Sequence, residues 1–421
     1  MFQFLSNAWA LLLGILLLMV GNGLQGTLLG VRGQLEGFTT FEMSVVMSAY
    51  FVGFLGGSRM APEMIRRVGH VRVFAALASF ISAVLILYPT FTNPWVWTVG
   101  RVIIGFCFSG VYVTAESWLN NAATNETRGQ ALSLYMIVMM VGIVAAQGLL
   151  LVADPSGYVL FVIPSVLVSV SVAPILLSVS PTPAFDTTKP MNLRQIMNVS
   201  PLGCVGMFLL GGVFAAQFGM AAVYGAQVGL TLTEISIFVA TFYIGATLLQ
   251  YPLGWASDRM DRRMLILITS AVGGMGAVVG MALGGSFTIL LVSAFLIGGT
   301  SNPLYSLLIA YTNDFLDNED MAAASGGMVF INGVGAIAGP LITGWMMGAF
   351  GPPGYFLLMA GLMIALSVYA GYRMTQRASP KHDDSMAYAP VSPSATSVAV
   401  EFAREYAIDS AHDDAESGSV L

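Results

Sequence analysis

Charge is scarce in this chain. Asp, Glu, Lys and Arg make up 9% of its 421 residues, against about 25% in an ordinary soluble domain. Apolar residues reach 56%, too many for a surface that faces water all round, so lipid is the solvent for most of the chain. Lysine is nearly missing: Lys189 and Lys381 are the two present, and neither lies in an apolar run. Cysteine also occurs twice, as Cys107 and Cys204 inside apolar segments, which excludes a disulfide framework and a thiolate metal site. The three histidines fall in a loop (His70) and in the C-terminal tail (His382, His412), which argues against histidine proton relays in the membrane and histidine-ligated metals. Catalytic and nucleotide motifs are absent too. With no H-E-x-x-H, no G-x-S-x-G and no P-loop, the chain is not read as an enzyme, ATP is not its energy source, and no cofactor or metal is expected.

What the sequence has is long apolar runs. A helix needs about 20 apolar residues to cross a bilayer. Runs of that kind lie near 8–31, 42–62, 71–91, 95–118, 130–152 and 157–179, and again near 201–224, 234–256, 263–284, 286–312, 322–347 and 354–374. The expected fold class is an all-α membrane protein with twelve transmembrane helices. Its domains are an N-terminal six-helix bundle (1–179), a polar cytoplasmic linker (180–200), a C-terminal six-helix bundle (201–377) and a disordered acidic cytoplasmic tail (378–421). The first run is too long for a signal-peptide core and lacks a basic flank, so it reads as a retained membrane helix. The tail carries eight acids and two bases, too few apolar groups to fold alone, although a short helix near 397–408 fits its pattern.

Basic residues set the orientation. Arg59, Arg66, Arg67, Arg72, Arg128, Lys189, Arg194, Arg259, Arg262, Arg263, Arg373, Arg377, Lys381 and Arg404 fall on one side, and only Arg32 and Arg101 fall elsewhere. Both termini are therefore expected in the cytoplasm.

The chain also repeats itself. Displaced by 192 residues, Gly14 meets Gly206, Gln25 meets Gln217, Gly37 meets Gly229, Thr39 meets Thr231, Glu42 meets Glu234, Gly53 meets Gly245 and Arg67 meets Arg259. Displaced by 193, Gly105 meets Gly298, Tyr112 meets Tyr305, Asn120 meets Asn313, and Asn125, Glu126 and Gly142 meet Asn318, Glu319 and Gly335. Six-helix units in tandem keep one orientation and are related by an axis along the membrane normal, which makes two pseudo-symmetric bundles with a pathway between them.

Residues 254–263 read Gly-Trp-Ala-Ser-Asp-Arg-Met-Asp-Arg-Arg. This resembles the loop signature G-x-L-A-D-R-x-G-R-R of the major facilitator superfamily, with Asp261 in place of the second glycine. The N-terminal copy departs from it, with Pro62 for the glycine and Arg66 for the aspartate. The fourth segment carries Arg101-x-x-x-Gly105, then Glu116-Ser117-Trp118-Leu119-Asn120 and Arg128-Gly129-Gln130-Ala131, a run similar to the bacterial YcaD-like permease group. The resemblance implies a secondary carrier working by alternating access in a bacterial inner membrane, a monomer whose partners are a small-molecule solute and the lipid bilayer, with no nucleic acid. It also implies gating by Arg67, Glu116, Asp258, Arg259 and Arg262. Asp258 and the arginines are expected to pair across the bundles, and Glu116 to pair with a loop arginine. The fifth segment lacks the glycine-proline motif of drug–proton antiporters. Gly335 to Pro340 in the eleventh reads as close packing through small residues.

In the resembled fold the first, fourth, seventh and tenth helices line the cavity. They offer Gln25, Arg101, Tyr112, Gln217, Tyr224, Asn302 and Tyr305 as solute contacts, with Asn22 beside them. Arg101 and Tyr112 share one helix face, and a charge at membrane depth marks function by default. Since neither Arg101 nor Arg32 has an obvious acidic neighbour, the solute is expected to be small and polar, with an anionic group as the finer expectation. A multidrug or metabolite efflux carrier is the alternative, and a non-transporting receptor or enzyme a second. Glu42 and Glu234 follow Thr39 and Thr231 by three residues, the spacing of a capping box.

Overall fold

The computed structural model describes residues 2–124, 127–177, 191–376 and 388–418. Most of the linker (178–190), the repeat pair member at Asn125 and Glu126, and residues 377–387 of the tail lie outside the described residues. All regular structure among the described residues is helical. Helices α1(Phe2–Leu35), α2(Thr40–Val68), α3(His70–Thr90), α4(Pro94–Ala122), α5(Arg128–Leu149) and α6(Val159–Leu177) form one bundle. A short helix α7(Leu193–Val199) precedes α8(Pro201–Gln227), α9(Leu232–Ser257), α10(Arg262–Leu283), α11(Phe287–Asn313), α12(Asn318–Phe350) and α13(Gly354–Gln376), which form the second. Twelve of these are long and apolar enough to cross a membrane. The last helix, α14(Ser397–Gly418), is not one of them.

Local chemistry explains the ends. Thr39 and Thr231 each accept the N–H of Glu42 and Glu234 at 3.2 Å, while those carboxylates accept the threonine N–H at 2.8 Å. Both capping boxes therefore form, and they satisfy donors that helices leave open at their N-termini. The turns before them need Gly37 and Gly229, which sit at φ 75° and 77°, the left-handed region where only glycine escapes a steric penalty.

The repeat is visible in the packing. In the first bundle α1 packs on α5 and α6, and α4 on α2 and α3; in the second α8 packs on α12 and α13, and α11 on α9 and α10. The same glycines make both tight contacts. A side chain on Gly53 of α2 would collide with the Val102 carbonyl of α4, and one on Gly245 of α9 with the Phe295 carbonyl of α11. Gly105 and Gly298 face the carbonyls of Tyr50 and Phe242 in return. Small residues let helix backbones approach where lipid supplies no hydrophobic drive between helices. Gly335 and Gly339 of α12 lie against Phe208 and Gly212 of α8 in the same way, so the glycine–proline stretch is a packing surface.

Between bundles, α1 meets α8, α2 meets α12 and α8, and α5 meets α9. Toward the arginine-rich side α2 meets α12, with Gly333 against Leu55 and the Arg59 guanidinium 5.7 Å from the Phe330 ring, and at the opposite end the contacts are close. Gly30 abuts Ala222, Gln227 donates to Thr40 at 2.5 Å, Gly344 abuts Ser44, and the Ser48 hydroxyl donates to the Ile337 carbonyl at 2.6 Å.

The tail departs from the expected disordered segment. Tyr388, Val391, Ala395, Ala399, Val400, Phe402 and Ala403 are all buried, and α14 touches α4, α5 and α12. Composition judged this segment as if it had to fold alone. Its apolar side chains bury instead against the inner walls of both bundles. His70 is also not a loop residue: it opens α3, 1% exposed, with its ring 3.0 Å from the Ser117 hydroxyl of α4.

Candidate functional site

A continuous polar chain runs through the first bundle. The Asn22 amide donates to the Tyr112 hydroxyl at 2.8 Å, Gln25 donates to the Asn22 carbonyl oxygen at 3.1 Å, and Arg101 donates to Gln25 Oε1 at 2.9 Å. The helical rise explains the grouping. Asn22 and Gln25 stand one turn apart on α1, and Arg101 and Tyr112 stand three turns apart on one face of α4. The Arg101 guanidinium lies 4.8 Å from the centre of the Tyr50 ring and 3.5 Å from the Met47 sulfur of α2. No carboxylate bonds it among the described residues, and its Nε has no partner. A buried cation held by an amide, a ring face and a thioether is costly to keep.

The second bundle answers with less. The Ser301 hydroxyl donates to Gln217 Oε1 at 3.0 Å, and Asn302 donates to the Gly298 carbonyl of its own helix at 3.2 Å. The Tyr305 hydroxyl is buried without a partner. Tyr224 is elsewhere. Its ring stacks on Tyr355 at 4.9 Å and meets Phe356 edge-on at 5.2 Å, so it packs the second bundle near the opposite end and leaves the group of solute contacts.

Two of the cavities formed by the described residues lie between the bundles. The central one is walled by Asn22, Tyr50, Phe54, Tyr112, Phe214, Phe218 and Asn332, with Pro393, Ser394 and Ala395 of the tail completing the wall, and its free volume is about 30 Å³. A larger one of about 610 Å³ lies on the flank between α5 and α9, lined by Met136, Gln250, Trp255, Asp258 and Asn302, with the tail as one wall. Tyr112 therefore faces the central cavity and Asn302 the flank. Gln25 and Arg101 stand one layer behind Asn22 and Tyr50, Gln217 stands behind the cavity with Ser301, and Tyr305 is enclosed by packing. Asn332 and Tyr50 were not among the sequence candidates. Asn332 is the sole amide in the 323–350 span, which was the available signal; nothing in the sequence turned Tyr50 toward the cavity.

Among the described residues, the charged groups at the arginine-rich end pair within their own bundles and with the tail. Arg262 and Asp314 form an ion pair inside the second bundle, each side chain 4% exposed. Arg262 also donates to the Ser257 hydroxyl at 3.2 Å and lies 3.8 Å from Asp258. The loop joins α9 to α10 and α11 ends beside it, so the nearest acid is intramural. Arg259 stacks on Trp255 at 4.4 Å and donates to its carbonyl. Arg66 and Arg67 both pair with Glu63 within α2. Asp258 accepts the Tyr388 main-chain N–H at 2.8 Å.

Glu116 differs as well. Among the described residues no arginine pairs with it; its carboxylate accepts the Tyr135 hydroxyl at 2.9 Å and both the hydroxyl and the N–H of Thr396. It points inward from α4, while the loop arginines on α2 are consumed by Glu63. Arg32 has an acid after all, Glu36 at 2.6 Å, and donates to the Pro155 carbonyl at 2.9 Å. It braces the opposite end.

Comparison with known proteins follows this geometry. The family model of the Major Facilitator Superfamily matches residues 11–195 and 202–404. A protein of Escherichia coli named "Uncharacterized MFS-type transporter YcaD" is 27% identical over 364 residues, covering 84% of this chain and 92% of its own. Its namesake in Salmonella arizonae is 24% identical over 360 residues with the same coverage, 84% and 92%. Among solved structures, a point mutant of the nucleoside transporter NupG superposes with a TM-score of 0.74 at 14% identity, over 86% of this chain and 98% of that one. A bacterial homologue of the lysosomal transporter Spinster, inward-facing and unoccupied, gives 0.64 at 15% identity, over 95% and 97%. At such identity these structures share the fold. With its twelve spans, its two six-helix repeats and a family match that runs through both, the chain belongs to the Major Facilitator Superfamily.

Proposed function

We propose that this transporter is a secondary carrier that moves a small polar solute by alternating access, acting as a single chain. The observation that carries the reading is the polar chain Arg101–Gln25–Asn22–Tyr112, which ends on the central cavity between two related bundles. Desolvated amides and hydroxyls at that depth are expensive unless a ligand or another side chain completes them. The close contacts at the opposite end, set against a separation filled by the tail at the arginine-rich end, support one closed and one open mouth. Basic loops favour the cytoplasmic side of a bacterial inner membrane, so the open mouth faces the cytoplasm.

The finer part of the reading is charge. Arginine keeps its proton in proteins, and no acid among the described residues bonds Arg101, so the cavity wall is positive. A carboxylate or similar anionic group on the solute fits. In this conformation Tyr50 and Gln25 cover Arg101, which therefore acts through Gln25 and Asn22 and through its field. The aromatic walls (Tyr50, Phe54, Phe214 and Phe218) suit a solute with one flat apolar face. An efflux carrier for larger apolar compounds is the second reading, and the apolar flank cavity favours it.

A thermal-shift screen of purified protein against a metabolite library is the first test, since a ligand stabilises the state it binds. Carboxylates, nucleosides and sugars belong in that library, because solved structures that share the fold include a nucleoside transporter and, with a TM-score of 0.56 at 15% identity, an E. coli fucose:proton symporter. Counterflow of labelled hits into proteoliposomes then decides. A protein that binds solutes yet never exchanges them across the bilayer is not a carrier.

A further inference from the structure

Residues 388–407 lie inside the molecule, between the bundles. Tyr388 is tied to the second bundle: its main-chain N–H donates to Asp258 at 2.8 Å and its hydroxyl accepts from Gln250 at 2.7 Å. Val391 is held from both sides by Ser306 of α11, whose hydroxyl accepts the Val391 N–H at 2.8 Å and donates to its carbonyl at 3.1 Å. The chain then turns, the Ala395 N–H returning to the Ser392 carbonyl at 2.9 Å, and Pro393, Ser394 and Ala395 line the central cavity together with Asn22 and Tyr112. Thr396 crosses to Glu116 of the first bundle. From there α14 leaves along α4 and α5, with Glu405 paired to Arg128 at 3.2 Å and the Tyr406 ring against Gly129.

We propose that residues 388–407 are a plug built into the chain: they occupy the solute cavity from the arginine-rich end, exclude the solute and hold that mouth open. Three separate observations converge on this. The segment bonds both bundles, so it staples them at a fixed separation. Its turn lines the cavity that the polar chain reaches, where about 30 Å³ is free. Its residues Thr396, Val400, Phe402 and Ala403 are 0 to 2% exposed, which is interior packing and not casual surface contact. Closing this end would bring the arginine-rich ends of α4 and α5 against those of α9 and α11 through the space the segment lines. The plug must therefore leave before each transport cycle, and transport is switched by whatever displaces it. The segment also forms one wall of the flank cavity, which therefore opens further when the plug leaves.

The proposal rests on the alternating-access reading, and its test separates the two. Val329 of α12 lines the central cavity beside the plug. In a chain whose Cys107 and Cys204 are replaced by Ala, Val329→Cys is labelled with a membrane-impermeant maleimide in inside-out and right-side-out vesicles. Three forms are compared: the full chain, a chain ending at residue 386, and the full chain with Ala399→Asp and Val400→Asp, which forces charge into the buried face of the plug. Labelling from the arginine-rich side scales with the unplugged fraction, so both altered forms should react about tenfold faster or more than the parent. Equal rates in all three overturn the plug. If the truncated chain inserts poorly, the double-aspartate chain decides alone. Acceleration seen only from the opposite side keeps the plug and overturns the proposed orientation. A synthetic peptide of residues 388–407 added to the truncated chain should slow labelling again, and no slowing at saturating peptide counts against the plug.

Discussion

Arg262 and Asp314 lie 52 residues apart and form the one ion pair among the described residues in which both side chains are fully enclosed. The pair locks the α9–α10 loop to the end of α11, so the loop moves with its own bundle as a rigid part. Breaking it by removing the acid leaves a buried guanidinium without its nearest carboxylate. Asp314→Asn should destabilise the protein by about 3 kcal/mol, read as a lower melting temperature in detergent and a lower folded yield. A variant as stable as the parent would show that the loop is held by other contacts.

Asp258 has a different task, since its side chain is 40% exposed and its partner is the Tyr388 main chain. Asp258→Asn keeps an acceptor oxygen for that N–H but removes the charge facing Arg262. A neutral amide holds the Tyr388 N–H less firmly than a carboxylate does, so the expected result is faster exchange of the identified solute, with unchanged insertion and an unchanged melting temperature. Unaltered transport would remove Asp258 from the gate.

Much of this architecture can be read from the chain because the bilayer is a severe solvent. Twenty apolar residues have few other fates, and the capping boxes at Thr39 and Thr231 are written in three-residue spacing. The duplicated glycines announce duplicated helix contacts. Partnerships across long separations are not written locally. Asp314 looks like any loop acid until α11 is placed beside the α9–α10 loop, and Tyr224 shares the spacing of a cavity residue while the twist of α8 turns it to Tyr355. The described part of the tail is a related case. Its apolar residues are too few to make a core, yet enough to complete one that two bundles leave open.

The repeat makes a sharp prediction about packing. Gly53 and Gly245 occupy equivalent crossings, α2 on α4 and α9 on α11, where any Cβ would overlap a backbone carbonyl. Gly53→Val and Gly245→Val should each cost about 2 kcal/mol or more through forced separation of the helices. Size-exclusion profiles and melting curves would show similar losses for the two. Gly361, whose added Cβ meets nothing within 4 Å, is the control, and Gly361→Ala should be silent. Tolerance at Gly53 together with a loss at Gly245 would mean that the two crossings are not equivalent.

The final prediction concerns the charge at Arg101. Its guanidinium donates to Gln25 at 2.9 Å and covers the Tyr50 ring at 4.8 Å, and Gln25 passes the connection to Asn22 and Tyr112. Arg101→Lys keeps the positive field but loses the planar fork that spans Gln25 and the ring. Arg101→Gln keeps a donor for Gln25 and loses the field. If the solute is anionic and the field is what selects it, Arg101→Gln should weaken binding about tenfold or more, and Arg101→Lys less. If Arg101 serves only as a strut for α1, α2 and α4, both substitutions lower the melting temperature and neither changes affinity once the protein is folded. Measuring affinity by titration calorimetry and stability by melting on the same samples tells the two apart. A solute that turns out to be a cation, or one bound by Arg101→Gln with parental affinity, would falsify the anionic reading while leaving the polar chain from Gln25 to Tyr112 as the binding wall.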